Sequence, residues 1–210
     1  MKILQTTELS LKGVHTITYQ RFADERGYFT ETYNKNDFKN ISEFISSLSQ
    51  FSIVQTNESF SKKHVIRGLH FQWNPIMGKL VRPLFGHLID LVLDVRLNSP
   101  TFGKAILCDL PVNNDDTEAT MIWVPPGFAH GVLFPEDSLI EYACTGTYNP
   151  AGEIGINPFD PTIDWSLADP QLLEIFKQVS VSGIISPKDK AGIALSEWKS
   201  NPNATIFNTL

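Results

Sequence analysis

The run His87–Arg96 constrains the fold more than any other stretch of the chain. Ile89, Leu91, Leu93 and Val95 fall on one side of it, and Asp90, Val92, Asp94 and Arg96 on the other. Successive strand side chains point to opposite faces, so this run is a strand with one apolar and one charged face. A strand of that kind needs a sheet around it. In a small barrel its charged face is a site if it points inward and is merely solvated if it points outward.

The surrounding sequence supplies the sheet. Short β-like runs cover residues 13–19, 28–33, 51–57, 65–72, 79–85, 103–110, 120–124 and 138–145. A turn, Asp24-Glu25-Arg26-Gly27, separates the first two. The 13 glycines and 13 prolines are scattered through the chain and not pooled in a linker, which is the signature of many short strands joined by turns. Two stretches break the pattern. Phe38, Ile41, Phe44, Ile45 and Leu48 have helical spacing within residues 35–48. Leu172, Leu173, Ile175 and Phe176 do the same within residues 169–179, and residues 184–189 are read as opening another short helix. The expected fold is mainly β, a sandwich or jelly-roll barrel with short helices mostly near the C-terminus.

With 210 residues the chain suits one domain, 1–210, with N-terminal strands in 1–50 and a helical C-terminal tail in 166–210. Its net charge of -6 argues against a nucleic-acid partner, but not against a small anionic ligand held by a local Lys/Arg cluster. The two cysteines, Cys108 and Cys144, have no CxxC spacing and read as reduced, buried residues. No run reaches the ~18 apolar residues of a membrane span. The expectation is a soluble, cytoplasmic protein without a membrane or nucleic-acid partner.

Among the five histidines, His15 and His64 read as structural or surface residues. His70, in Arg67-Gly68-Leu69-His70-Phe71, and His130, in Gly127-Phe128-Ala129-His130-Gly131, are bracketed by small residues that permit close approach of a ligand. Each, taken alone, fits a satisfied core histidine equally well. No HxH pair exists; His70 and His130 with one carboxylate are the alternative ligand set, and no metal site is expected. No GxSxG elbow, GxGxxG or Walker loop occurs, which leaves hydrolase, nicotinamide and ATP chemistry without support. What remains is proton chemistry beside a carbonyl: a histidine as base, a tyrosine to return a proton, a lysine to stabilise an enolate.

Several segments in order resemble the dTDP-4-dehydrorhamnose 3,5-epimerase family of cupin-like sugar-nucleotide epimerases. They are Asp24-Glu25-Arg26-Gly27-Tyr28-Phe29-Thr30-Glu31, Gln55-Thr56-Asn57-Glu58-Ser59, Arg67-Gly68-Leu69-His70-Phe71-Gln72, Lys79-Leu80-Val81, Asp94-Val95-Arg96 with Ser99-Pro100-Thr101-Phe102-Gly103, Gly127–Gly131, Tyr142, and Tyr148-Asn149-Pro150 with Glu153. The resemblance implies a double-stranded β-helix, a cupin-like jelly roll. It implies epimerisation at C3 and/or C5 of a nucleotide-linked 4-keto-6-deoxyhexose, dTDP-4-dehydro-6-deoxyglucose above all, without metal or redox cofactor. The alternatives are a 4-keto sugar nucleotide ketoisomerase and a non-catalytic sugar-nucleotide-binding cupin.

By the same resemblance, His70 is the base, oriented by Asp160. Tyr142 is the acid, and Lys79 steadies the enolate with His130 nearby. Arg67 and Arg26 grip the diphosphate. Phe29, Glu31, Gln55, Asn57 and Tyr148 line the pocket. A homodimer with exchanged N-terminal strands is implied, so that Arg26 could serve the neighbouring site. Two departures stand out. Met77 occupies a position where the family often has Gln, and the segment 160–165 is somewhat shorter than usual, which leaves Asp164 as an alternative orienter of His70.

Overall fold

The computed structural model describes residues 1–40, 52–113 and 116–209. The first strands are β1 (Ile3–Glu8), β2 (His15–Gln20), β3 (Phe22–Asp24) and β4 (Gly27–Phe29), followed by helix α1 (Lys35–Asn40). Then come β5 (Gln55–Ser61), β6 (Val65–Gln72), β7 (Lys79–Phe85), β8 (His87–Asp94), β9 (Ala105–Pro111), β10 (Glu118–Val124), β11 (Phe128–Leu133), β12 (Ser138–Cys144) and β13 (Glu153–Gly155). The tail carries α2 (Pro170–Ser182), β14 (Ile184–Ile185), α3 (Pro187–Lys190) and α4 (Leu195–Lys199).

Two antiparallel sheets hold the structure. One runs β1-β2-β10-β7-β12-β5; the other runs β13-β6-β11-β8-β9, with β14 added in parallel to β6. This two-sheet arrangement is the cupin-like jelly roll expected from the sequence.

Three apolar layers follow from strand alternation. Between the sheets lie Val81, Ile122 and Ile140 from one sheet and Leu88, Val92, Ile106 and Val132 from the other. The back of the second sheet, with Ile89, Leu91, Leu93 and Val95, is covered by the tail through Phe176, Leu195, Trp198 and Phe207. The back of the first sheet packs Ile17, Leu80 and Trp123 with Phe38 of α1. Burying large side chains at roughly 25 cal/mol per Å2 of apolar surface makes these layers the main stabilising term.

The two faces of β8 are thereby explained. Its apolar face meets helices, not water, and its acidic face points between the sheets, so Asp90 and Asp94 are both fully buried. They have different fates. Arg96, Ser99 and Thr101 all donate to the Asp94 carboxylate and hold the turn after β8. Asp90 faces the cavity described below.

Differences from the sequence reading are local. The run 28–33 is a strand only at Gly27–Phe29, as half of a small hairpin with β3. β1 and β11 are strands that the reading did not separate. The helix expected over 35–48 is present at Lys35–Asn40, and its remainder lies outside the described residues. The tail helix runs Pro170–Ser182, because Asp169 accepts from the Gln171 and Leu172 amides and Pro170 fits a first-turn position.

Candidate active site

A cavity of about 790 Å3 opens between the two sheets. Its walls come from both. β5, β7 and β12 supply Gln55, Asn57, Lys79, Tyr142 and Cys144; β6 and β11 supply Arg67, His70 and His130.

The placement of Arg67 and His70 on the same wall needs explanation, because residues three apart on a regular strand face opposite ways. The β6–β11 register shifts between His130 and Val132, opposite this stretch. Such a bulge inverts the alternation. Val65 and Arg67 line the cavity before it and His70 and Gln72 after it, while Ile66, Leu69 and Phe71 belong to the tail-facing core, with Ile66 and Phe71 also touching the cavity wall. Glycine is required at the shift. Gly68 has φ +107°, and a Cβ there would lie 2.6 Å from the Gly131 Cα. The close approach sets His70 directly opposite His130 in the ladder.

His70 Nε2 lies 2.6 Å from Asp189 Oδ1. An ionised carboxylate only accepts, so Nε2 carries the proton and Nδ1 is left as the basic nitrogen. Asp189 sits in α3, where Ser186 Oγ accepts from its amide and fixes the turn. Burial pushes the Asp189 carboxyl up, but hydrogen bonds from His70, Ser186 and the Gly68 backbone outweigh it and hold it below the usual carboxylate range.

The expected partner, Asp160, is elsewhere. Its carboxylate accepts from the Thr162 amide and hydroxyl at 2.8 and 2.7 Å and from the Leu195 amide at 2.6 Å. It therefore ties the 157–163 turn to the start of α4 and does not reach His70. Asp164 is no substitute, since it accepts from the Ser166 amide and faces Lys104. A faint sequence signal for Asp189 existed: Ser186-Pro187-Lys188-Asp189 is a capped helix start, and Asp is favoured in a first turn. Nothing local says that this turn packs on a histidine 119 residues away.

His130 Nε2 bonds Asp90 Oδ2 at 2.8 Å, and Asp90 Oδ1 has no partner among the described residues. Burial raises the Asp90 carboxyl despite the opposing charges of His130 and Lys79. Burial also lowers His130, against the pull of Asp90. Lys79 is pushed down by burial as well, and its Nζ reaches the His70 carbonyl at 3.5 Å. Tyr142 is raised, by burial first, with Arg67 opposing.

Amide relays shape the first sheet's wall. The Tyr148 amide donates to Gln55 Oε1, Gln55 Nε2 to Asn57 Oδ1, and Asn57 Nδ2 to the Cys144 sulfur. Among the described residues no cluster of three or more His, Cys, Asp or Glu side chains is arranged to hold a metal ion.

Of the residues singled out from the sequence, the cavity collects His70, Lys79, Tyr142, Gln55, Asn57, Arg67, His130 and Tyr148. Arg26, Phe29 and Glu31 are not among its lining residues. Arg26 is solvent-exposed at the tip of the β3–β4 hairpin, paired with Asp24, and Phe29 is 71% exposed. Residues not singled out as site residues also line the cavity: Glu153, Lys188 and Asp189.

Comparison with known proteins matches this architecture to one family. The dTDP-4-dehydrorhamnose 3,5-epimerase model covers residues 8–197. The chain belongs to that family. It is 38% identical over 202 residues to the dTDP-4-dehydrorhamnose 3,5-epimerase of Escherichia coli, covering 94% of this chain and 96% of the relative. It is 38% identical over 161 residues to the enzyme of the same name from Methanothermobacter thermautotrophicus, covering 75% and 82%. The structure superposes on the 3,5-epimerase of Legionella pneumophila in complex with dTDP-4-keto-L-rhamnose with a TM-score of 0.75 and 32% identity, covering 91% of this chain and 93% of that one. Members of the epimerase family are isomerases, and this one carries the cupin-like fold of its relatives.

Proposed function

We propose that the protein epimerises a dTDP-linked 4-keto-6-deoxyhexose at C3, C5 or both, with His70 as base and Tyr142 as acid. One observation carries this reading: the two groups stand on opposite sheets that wall one cavity. A base on one side of a planar enolate and an acid on the other is what inversion of a carbon requires.

The 4-keto group acidifies the neighbouring C–H bonds. His70 Nδ1 takes the proton while Asp189 stabilises the imidazolium through Nε2, as the acid does in a triad. The electron pair moves to the C4 oxygen, where Lys79 donates; a preoriented donor in a partly desolvated site is effective there. The Tyr142 hydroxyl then protonates the carbon from the other side. Arg67, with its Nε fixed by Ser61 Oγ at 2.9 Å and its Nη2 donating to the Phe60 carbonyl at 3.3 Å, offers its other N–H donors to a diphosphate. Gln55, Asn57 and Tyr148 contact the sugar and nucleotide. This support goes to the 3,5-epimerase reading over a passive binding cupin, because a binder has no use for a base held at 2.6 Å by a carboxylate.

The chain is read as one domain and a homodimer. The β3–β4 hairpin exposes Phe22, Tyr28 and Phe29 together, an unusual apolar concentration for an eight-residue projection. Seated over a second copy's cavity, it would bring Arg26, Phe29 and Glu31 to the substrate. No helix among the described residues is long and apolar enough to cross a membrane.

The test is proton NMR in heavy water with dTDP-4-keto-6-deoxyglucose. Deuterium at C3, at C5 or at both reports the carbons attacked, and the coupling constants report inversion. Bound substrate with no label would leave a binding protein. A shifted carbonyl would mark a ketoisomerase.

A further inference from the structure

Resting on the epimerase reading, one requirement of the chemistry is left unmet by the residues named so far. After each inversion His70 carries an extra proton and Tyr142 lacks one. His70 must discharge before it can act again.

Asp189 cannot take that proton, because it faces Nε2, which is already protonated, and its own carboxyl is held low. The proton acquired from substrate sits on Nδ1. The group facing Nδ1 is Glu153, whose Oε1 is 3.9 Å away. Gly155, which pairs with His70 in the β13–β6 ladder, gives the ring little room: a Cβ there would lie 3.1 Å from His70 Cδ2. The ring thus has a carboxylate towards each nitrogen, hydrogen-bonded at Nε2 and 3.9 Å away at Nδ1.

Glu153 is itself held in place. Its Oε2 accepts from the Tyr148 hydroxyl at 3.2 Å and from Lys188 Nζ at 3.1 Å. Its side chain is only 14% exposed, whereas that of Lys188 is 64% exposed. The His70 side chain is 24% exposed, so Glu153 links the base, once substrate covers it, to Lys188 at the solvent-facing rim. The hydrogen bond to Glu153 raises the Lys188 ammonium, so the clamp stays charged.

We infer that Glu153 is the proton exit of His70, a positioning and relay residue that returns the base to its neutral form after each inversion. The proton passes from Nδ1 to Glu153 Oε1 through a small side-chain rotation or one water; the N–H bond breaks and an O–H bond forms. It then leaves to solvent at the rim beside Lys188 and Tyr148, the carboxylate is restored, and solvent returns a proton to the Tyr142 oxygen. Nothing is oxidised or reduced. The two carboxylates divide the work: Asp189 fixes the tautomer and Glu153 empties the base.

The experiment compares the first turnover with steady state in heavy water, using dTDP-4-keto-6-deoxyglucose and Glu153→Gln. First-turnover deuterium incorporation is expected to stay within about three-fold of wild type, because the first proton abstraction needs no prior discharge of His70. Steady-state turnover is expected to fall at least about ten-fold. Imidazole buffer, raised at constant pH, is expected to restore the variant and leave wild type unchanged. Lys188→Met, whose substitution lies at the exposed rim and spares the buried carboxylate, is expected to show the same pattern more weakly. Equal loss in first turnover and steady state in both variants, without response to buffer, would mean a structural role and overturn the relay. Unchanged steady-state turnover in Glu153→Gln would overturn it too, with the epimerase reading intact. Failure of wild type to exchange any hydrogen would overturn both, and is recognised because it shows before any variant is made.

Discussion

Asp189 lies 2.6 Å from Nε2 of His70, and Asp160, the carboxylate nearer in sequence, is bound instead to the backbone of Thr162 and Leu195. On the proposed mechanism the two acids separate catalysis from stability. Asp189→Asn keeps the shape but cannot both accept and stabilise an imidazolium. It is expected to lower kcat by about 10² to 10⁴-fold with little change in melting temperature. Asp160→Ala leaves the buried Leu195 amide unpaired and is expected to cost about 2 kcal/mol while sparing kcat. Steady-state kinetics beside thermal denaturation of both variants decides the assignment. A catalytic loss confined to Asp160→Ala would reverse it.

Tyr142→Phe removes the hydroxyl and keeps the ring on the first sheet's wall. His70 still abstracts a proton, but nothing on the opposite side returns one. The variant is expected to wash deuterium into substrate with retained configuration, and to lose inverted product by at least about 10²-fold. NMR of the recovered sugar reads both quantities in one sample.

Gly68→Ala is expected to destabilise the fold by about 3 kcal/mol or more. The position has φ +107°, and the added Cβ would meet the Gly131 Cα at 2.6 Å, which is backbone and cannot turn aside. Chemical denaturation measures the loss. A variant within about 0.5 kcal/mol of wild type would show that the bulge tolerates a side chain.

Acid should expose the buried Asp94. Burial raises its carboxyl, but Arg96, Ser99 and Thr101 together hold it below the usual range. A carboxyl depressed on folding contributes stability that is present above its unfolded value of about 4 and is lost as pH falls through the lower folded value. The melting temperature is expected to fall below about pH 4, and Asp94→Asn to flatten that limb. At pH 7 the variant should be less stable by about 3 kcal/mol, because it leaves Arg96 half-buried without its partner. An acid limb of unchanged steepness in the variant would assign it to other carboxylates.

Gln55, Asn57 and Tyr142 were legible through the family motifs, and strand alternation accounts for where the structure puts them. Gln55 and Asn57 two apart on β5, and Tyr142 and Cys144 two apart on β12, share the inner wall by alternation alone. Arg67 and His70 were legible only as a motif: their spacing contradicts a regular strand, and the shift at Gly68 reconciles it. The turn carrying Asp189 left no more than a capped helix start.

What the sequence determined by itself is the β architecture and the two-faced strand β8, which depend on neighbours one or two residues away, through alternation and turns. The proposed base, acid and lysine were carried by a resemblance of motifs in order along the chain, not by local spacing. Only the tertiary structure decided which carboxylate orients His70, that Glu153 faces its other nitrogen, and that Arg26 and Phe29 stand away from their own chain's cavity. Those are contacts between segments far apart in the chain. They are fixed by how the tail packs on the second sheet and by where the β3–β4 hairpin projects, and no local spacing encodes either.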